Sequence, residues 1–231
     1  MKTIGLLGGM SWESTALYYQ HLNKAVQQRL GGLNSAQIIL NSVNFAEIEK
    51  LQQQGDWAQA AKILQQEAQK LQCAEVDAIV LCTNTMHLVA PEIQQAMSVP
   101  LLHIADATAK HILAQGIQRI ALLGTAFTME QDFYKARLIE HGLEVLIPQE
   151  KDRATIHRTI YDELCLGQVN ASSKQAFLNI IEGLKQQGAQ GIILGCTEIV
   201  MLLPEAEACG LPLFDTTAIH VQAAVEFMLG E

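Results

Sequence analysis

The stretch IGLLGGMSWESTALYYQHL, from Ile4, returns as IALLGTAFTMEQDFYKARL, from Ile120. At an offset of about 116 residues, Ile4 meets Ile120, Leu6 and Leu7 meet Leu122 and Leu123, and Gly8 meets Gly124. In the same alignment Tyr18 meets Tyr134 and Leu22 meets Leu138. Two more blocks follow in the same order. AIVLCT, ending on Cys82 and Thr83, meets IILGCT, ending on Cys196 and Thr197, at about 114. VPLLHIADAT, from Val99, meets LPLFDTTAIH, from Leu211, at about 112. Apolar runs match by chance, but coincident Gly, Cys-Thr and Pro positions do not. The chain reads as two similar units arisen by duplication.

Within each unit, continuous apolar runs alternate with segments of helical period. The runs TIGLLGG, AQIILNSV, DAIVLC and VPLLHI read as strands, and so do QRIALLG, LEVLIP, GIILGC and LPLFD. Helices are expected at about Ser14 to Leu30 and Phe45 to Leu71, the second broken at Gly55 and Asp56. Others are expected at Thr85 to Met97, Met129 to His141, Arg153 to Leu166, Ser172 to Gln187 and Thr216 to Leu229. Strands apolar along their length, set between helices, belong to parallel sheets covered on both faces. The expected fold class is α/β: two pseudo-symmetric lobes, each a mostly parallel sheet flanked by helices, with the active site in the cleft between them. The first lobe is expected to span 1–104 plus 212–231, the closing helix returning to it. The second is expected to span 105–211.

With 231 residues, 49% hydrophobic and 17% charged, the chain has ample material for such cores. Its net charge of -9 argues against nucleic acid or an anionic membrane as partner, since both need a basic face. No run approaches the ~18 apolar residues of a membrane span. The opening MKTIGLLGGMSWE breaks at Gly8 and Gly9 and meets Glu13 too soon for a signal peptide, so a cytoplasmic location is expected. The five cysteines are then expected as free thiols. None is spaced as CxxC, and no metal site is expected. Gly5, Gly8 and Gly9 do not make GxGxxG, so no dinucleotide site is expected either.

In parallel sheets, ligands bind beyond the carboxyl ends of the strands. Gly8, Gly9, Cys82, Gly124, Thr125 and Cys196 all stand there. Each of these two cysteines precedes a helical segment, whose free amides are expected to lower its pKa from about 8.5. Two equivalent thiols on opposite walls suit inversion of a carbon stereocentre. One thiolate removes the Cα proton, and the opposed thiol supplies a proton to the other face. Sulfurs each about 3 to 3.5 Å from the carbon stand roughly 7 Å apart. That is too far for a disulfide, at about 2 Å. Backbone amides and threonine hydroxyls at the strand ends would hold the carboxylate as charge builds up.

GLLGGMSWEST, LCTNTMH, LLGT followed by TMEQDFY, and GCTE together resemble the aspartate/glutamate racemase family. The similarity is to its bacterial aspartate/glutamate and broad-specificity amino-acid branch, and it covers essentially the whole chain. The resemblance implies racemisation without a cofactor, and specifically without pyridoxal phosphate. It implies an amino-acid substrate, aspartate or glutamate first, and a homodimer. It assigns Cys82 and Cys196 as the acid/base pair, and Met10, Gln52, Thr83, Asn84, Thr85 and Thr197 as substrate contacts. The repeat adds Thr125 and Thr128. His87 and Glu198 are candidates to support the two thiols from behind. Arg29 and Lys50 are the basic residues considered for a side-chain carboxylate. Cys73, Cys165 and Cys209 read as structural, and Trp12 and Trp57 as packing residues. Two other readings stand beside this one: a related two-cysteine isomerase of maleate or hydantoin type, and a two-lobed small-molecule binding protein without catalysis.

Overall fold

β1 (Ile4–Gly8) is apolar at every position and buried throughout, which makes it an interior strand. α1 (Trp12–Leu30) follows, opened by Ser11, whose side chain accepts the Ser14 N–H. β2 (Ile38–Ser42), α2 (Phe45–Gln54), α3 (Trp57–Cys73) and β3 (Ala78–Leu81) come next. The break between α2 and α3 falls at the expected Gly55 and Asp56. Gly55 adopts the left-handed conformation that ends α2, and the Asp56 carboxylate accepts the Gln59 N–H that opens α3. A short 3-10 helix, Thr85–Val89, then leads into α4 (Ala90–Gln95) and β4 (Leu101–Leu102). The first sheet runs β2-β1-β3-β4, all parallel. These coordinates are a computed structural model, and they describe residues 1–204 and 207–231.

The second half contains α5 (Ile104–Ala114), β5 (Arg119–Gly124), α6 (Ala126–Glu130), α7 (Asp132–Glu140), β6 (Glu144–Leu146) and α8 (Glu150–Asp162). It continues with α9 (Ala171–Gln186), β7 (Ile192–Gly195), α10 (Ile199–Leu202), β8 (Glu207–Ala208), β9 (Leu211–Asp215) and α11 (Thr216–Leu229). The second sheet runs β6-β5-β7-β9-β8. Its first four strands are parallel and repeat the order of the first sheet, while β8 pairs antiparallel with β9. The one helix expected over Met129 to His141 is two. α6 begins earlier because the Thr125 side chain caps it, accepting the Thr128 N–H.

Met1–Ile104 with His220–Glu231 form one compact unit, and Ala105–Ile219 the other. The second crossing therefore lies beyond the boundary expected at 211/212. The reason is strand pairing: β9 lies beside β7 in the second sheet, so the chain stays in that unit through Asp215. The first unit buries both faces of its sheet. Leu7, Ile79 and Leu81 pack with Ile48, Leu64 and Leu71 of α2 and α3. On the other face Ile4, Leu6, Ala78 and Val80 pack with Tyr18 and Leu22 of α1 and with Val221, Ala224 and Met228 of α11. The alternation is that of a strand with period two. In the second unit Ala121, Leu123, Ile192 and Leu194 pack with Ile156, Phe177 and Ile181.

The repeat reaches into the hydrogen bonding. Tyr18 and Tyr134 are both fully buried. The Tyr18 hydroxyl lies 2.9 Å from His220 Nδ1, and the Tyr134 hydroxyl donates to Thr108 Oγ1 at 3.5 Å. His220 and Thr108 are themselves related by the offset of about 112 found in the third sequence block.

Candidate functional site

The glycines at the strand ends let the backbone approach its neighbours. A Cβ on Gly8 would lie 2.4 Å from Thr15 Cγ2. A Cβ on Gly9 would lie 2.3 Å from the Val43 carbonyl oxygen, and Gly9 has φ +91. No other residue fits there without strain. Thr15 Oγ1 takes up the Gly9 N–H at 2.8 Å.

Cys82 is the first residue past β3 and is fully buried. Its N–H donates to the Leu7 carbonyl at 3.0 Å, and its own carbonyl accepts from Ser14 Oγ at 3.2 Å. The thiol donates to the Val80 carbonyl at 3.7 Å. Burial pushes this thiol far above the ordinary cysteine range. Thr83 is half-buried, and its carbonyl accepts from His87 Nδ1 at 2.7 Å. Asn84 and Thr85 are buried at the start of the 3-10 helix. Met10, in the turn after β1, and Met86 share one apolar cluster. Gln52, buried on α2, donates from Nε2 to Met86 Sδ at 2.9 Å.

In the second unit, Thr125 and Thr128 are buried, with hydroxyls 3.2 Å apart. Cys196 follows β7 and donates its S–H to Glu198 Oε2 at 2.9 Å. Burial pushes Cys196 up, and the Glu198 charge and hydrogen bond push it further. Thr197 Oγ1 lies 3.5 Å from Thr217 Oγ1. Asp215 accepts the N–H groups of Thr217 and Ala218, which fixes the start of α11.

Two expectations change here. Helix amides were expected to lower both thiols, yet both are raised. The segment after Cys82 is one short 3-10 helix, and α10 spans only Ile199–Leu202. Neither carries much dipole, and desolvation of a buried thiolate outweighs it. The cysteines also differ in strand register, although the sequence blocks align them. Leu7 is level with Leu81, which puts Cys82 opposite Gly8. In the other sheet Gly195, not Cys196, is level with Gly124. Cys196 thus stands one residue farther along its chain than Cys82 does. Gly195 holds the equivalent place without a side chain, since a Cβ there would lie 2.9 Å from the Leu123 carbonyl oxygen.

Of the basic candidates, Arg29 ends α1 and pairs with Glu231 at 2.9 Å and Glu226 at 3.9 Å. That puts it about 25 Å of helix away from the strand ends. Lys50 is exposed. Trp12 is 67% exposed rather than packed, whereas Trp57 packs against the first core. Cys73 and Cys165 are exposed, and Cys209 is half-buried. Sequence reasoning missed Ser14, Met86 and Thr217. Each acts through a contact distant in sequence, which local spacing does not show.

Comparison with known proteins adds the family. A candidate Asp/Glu racemase from Yersinia pestis is 54% identical, with TM-score 0.94, covering 99% of this chain and 100% of that one. An aspartate racemase homologue from Pyrococcus horikoshii OT3 is 33% identical, with TM-score 0.87, covering 99% and 100%. The broad specificity amino-acid racemase RacX of Bacillus subtilis (strain 168) is 28% identical over 98% of both chains. The sequence pattern of one family matches residues 7–224, nearly the whole of both units. This chain belongs to the Asp/Glu/Hydantoin racemase family.

Proposed function

We propose that this protein is an amino-acid racemase that inverts Cα by a two-base mechanism, with Cys82 and Cys196 as the acid/base residues and no pyridoxal phosphate. One observation carries the reading: in each unit a cysteine is the first residue past an interior parallel strand, beside a strand that ends on glycine. Family membership supplies the reaction class.

Both thiols rest protonated, so one must ionise as substrate arrives. The substrate ammonium favours a thiolate beside it. The ionising thiol gives its proton to solvent, and the Glu198 carboxylate 2.9 Å from Cys196 Sγ opposes that step in the second unit. The thiolate then removes the Cα proton, and the second thiol delivers its own to the opposite face. Proton count is preserved, and the roles are reversed for the other enantiomer. Thr83, Asn84, Thr85, Thr125, Thr128 and Thr197 are the donors assigned to the carboxylate. Met10 and Gln52 are assigned to the remaining substrate contacts. Aspartate and glutamate are the first substrates, as the names of the relatives suggest. A wider range is the next expectation, after the Bacillus relative. We assign the enzyme to the cytoplasm as a homodimer.

The test is a panel of L-amino acids in deuterated water without added cofactor. The D-product should carry deuterium at Cα while recovered substrate stays unlabelled early in turnover. Equal early labelling of both would sink the two-base scheme. Cys82→Ser and Cys196→Ser should each lower racemisation by about a hundredfold or more.

A further inference from the structure

The end of the first sheet carries three buried imidazoles, those of His87, His103 and His220. The His87 ring centroid lies 4.5 Å from that of His103 and 5.8 Å from that of His220. His220 Nε2 lies 2.7 Å from the Leu102 carbonyl, which can only accept. The proton of His220 is therefore on Nε2, and Nδ1 accepts the Tyr18 hydroxyl.

His87 has the opposite tautomer, and two backbone groups fix it. Nδ1 lies 2.7 Å from the Thr83 carbonyl, which can only accept. Nε2 lies 3.3 Å from the Ile104 amide, which can only donate. A neutral ring protonated on Nδ1 satisfies both at once. Ile104 is also the last residue before the chain leaves this unit. The Thr83 carbonyl belongs to the peptide joining Thr83 to Asn84. The preceding peptide, from Cys82 to Thr83, is held by Ser14 Oγ on the Cys82 carbonyl at 3.2 Å. Both peptides flanking Thr83 are thus held by buried side chains.

We infer that His87 is a positioning residue for the reaction proposed above: by holding the Thr83 carbonyl from Nδ1, it sets the direction of the Cys82–Thr83–Asn84 segment. The inference rests on the reading of Cys82 as an acid/base residue. Its effect belongs in the chemical step, because small misplacement of a reacting group costs rate more than binding.

Two substitutions divide the two hydrogen bonds. The amide of His87→Asn overlies Nδ1 and can keep the donor to Thr83. The longer His87→Gln reaches the place of Nε2 and can keep only the acceptor for Ile104. We expect His87→Gln to lose about tenfold or more in kcat with KM within about twofold. His87→Asn should recover most of that loss. Equal losses in both, the reverse ranking, or a change confined to KM would overturn the inference. Nitrogen-15 NMR of the histidine-labelled wild-type chain tests the same point without a variant that must fold. We expect a protonated Nδ1 and a bare Nε2 for His87. The other tautomer, or a doubly protonated ring, overturns the lock. A wild-type chain that racemises nothing defeats the functional reading instead, and the NMR result still decides the state of His87.

Discussion

Glu198 makes the two cysteines chemically different. Cys82 faces a carbonyl, whereas Cys196 faces a carboxylate at 2.9 Å. A nearby negative charge opposes a thiolate, so Glu198→Gln should ease ionisation of Cys196. Iodoacetamide should then alkylate Cys196 faster than in the wild type at the same pH, with Cys82 unchanged. Peptide mass spectrometry reads both rates in one sample, and a slower Cys196 would contradict the assignment. The residues themselves were legible in the sequence, because the Cys-Thr pair recurs at a near-constant offset. Their ionisation was not. It depends on burial and on a carboxylate rotamer, and neither is written in local spacing.

The elements around the first site are joined by buried polar side chains. His220, on α11, meets Tyr18 of α1 and the carbonyl of Leu102 in β4. Burial pushes His220 down to about 4 from an ordinary 6.5. The folded chain then binds fewer protons than the unfolded chain between those values. This contribution is complete above pH 6.5 and is lost as pH falls toward 4. Its full size is about 3 kcal/mol. Denaturant unfolding at a series of pH values should show the decline, and His220→Gln should flatten it. A slope in His220→Gln equal to that of the wild type would remove His220 as its source. Strand and helix positions were legible at this scale from apolar runs, caps and the Gly55-Asp56 break. The two-residue β8 carried no such signal, and the split between α6 and α7 depends on one threonine side chain. The one-residue step between Cys82 and Cys196 was also hidden. Sequence blocks align by residue type, whereas register is set by backbone pairing.

At the scale of the whole molecule, the repeat showed two sheets of one kind. The chain leaves the first unit after β4 and returns to it inside α11. α5 follows the first sheet in sequence, yet from Ala105 it belongs to the second unit. α11 follows the second sheet, yet from His220 it covers the first. A cut in the turn between α5 and β5 therefore leaves each half without the helix that closes its own sheet. The two halves should be poorly soluble when expressed apart and should co-purify when expressed together. A stable, monomeric first half would contradict this. The same exchange bears on descent. A single-copy ancestor ending in the same closing helix would have had that helix free to exchange with a second copy of itself. Duplication within one gene would then have made a permanent covalent pair of what began as two molecules trading helices.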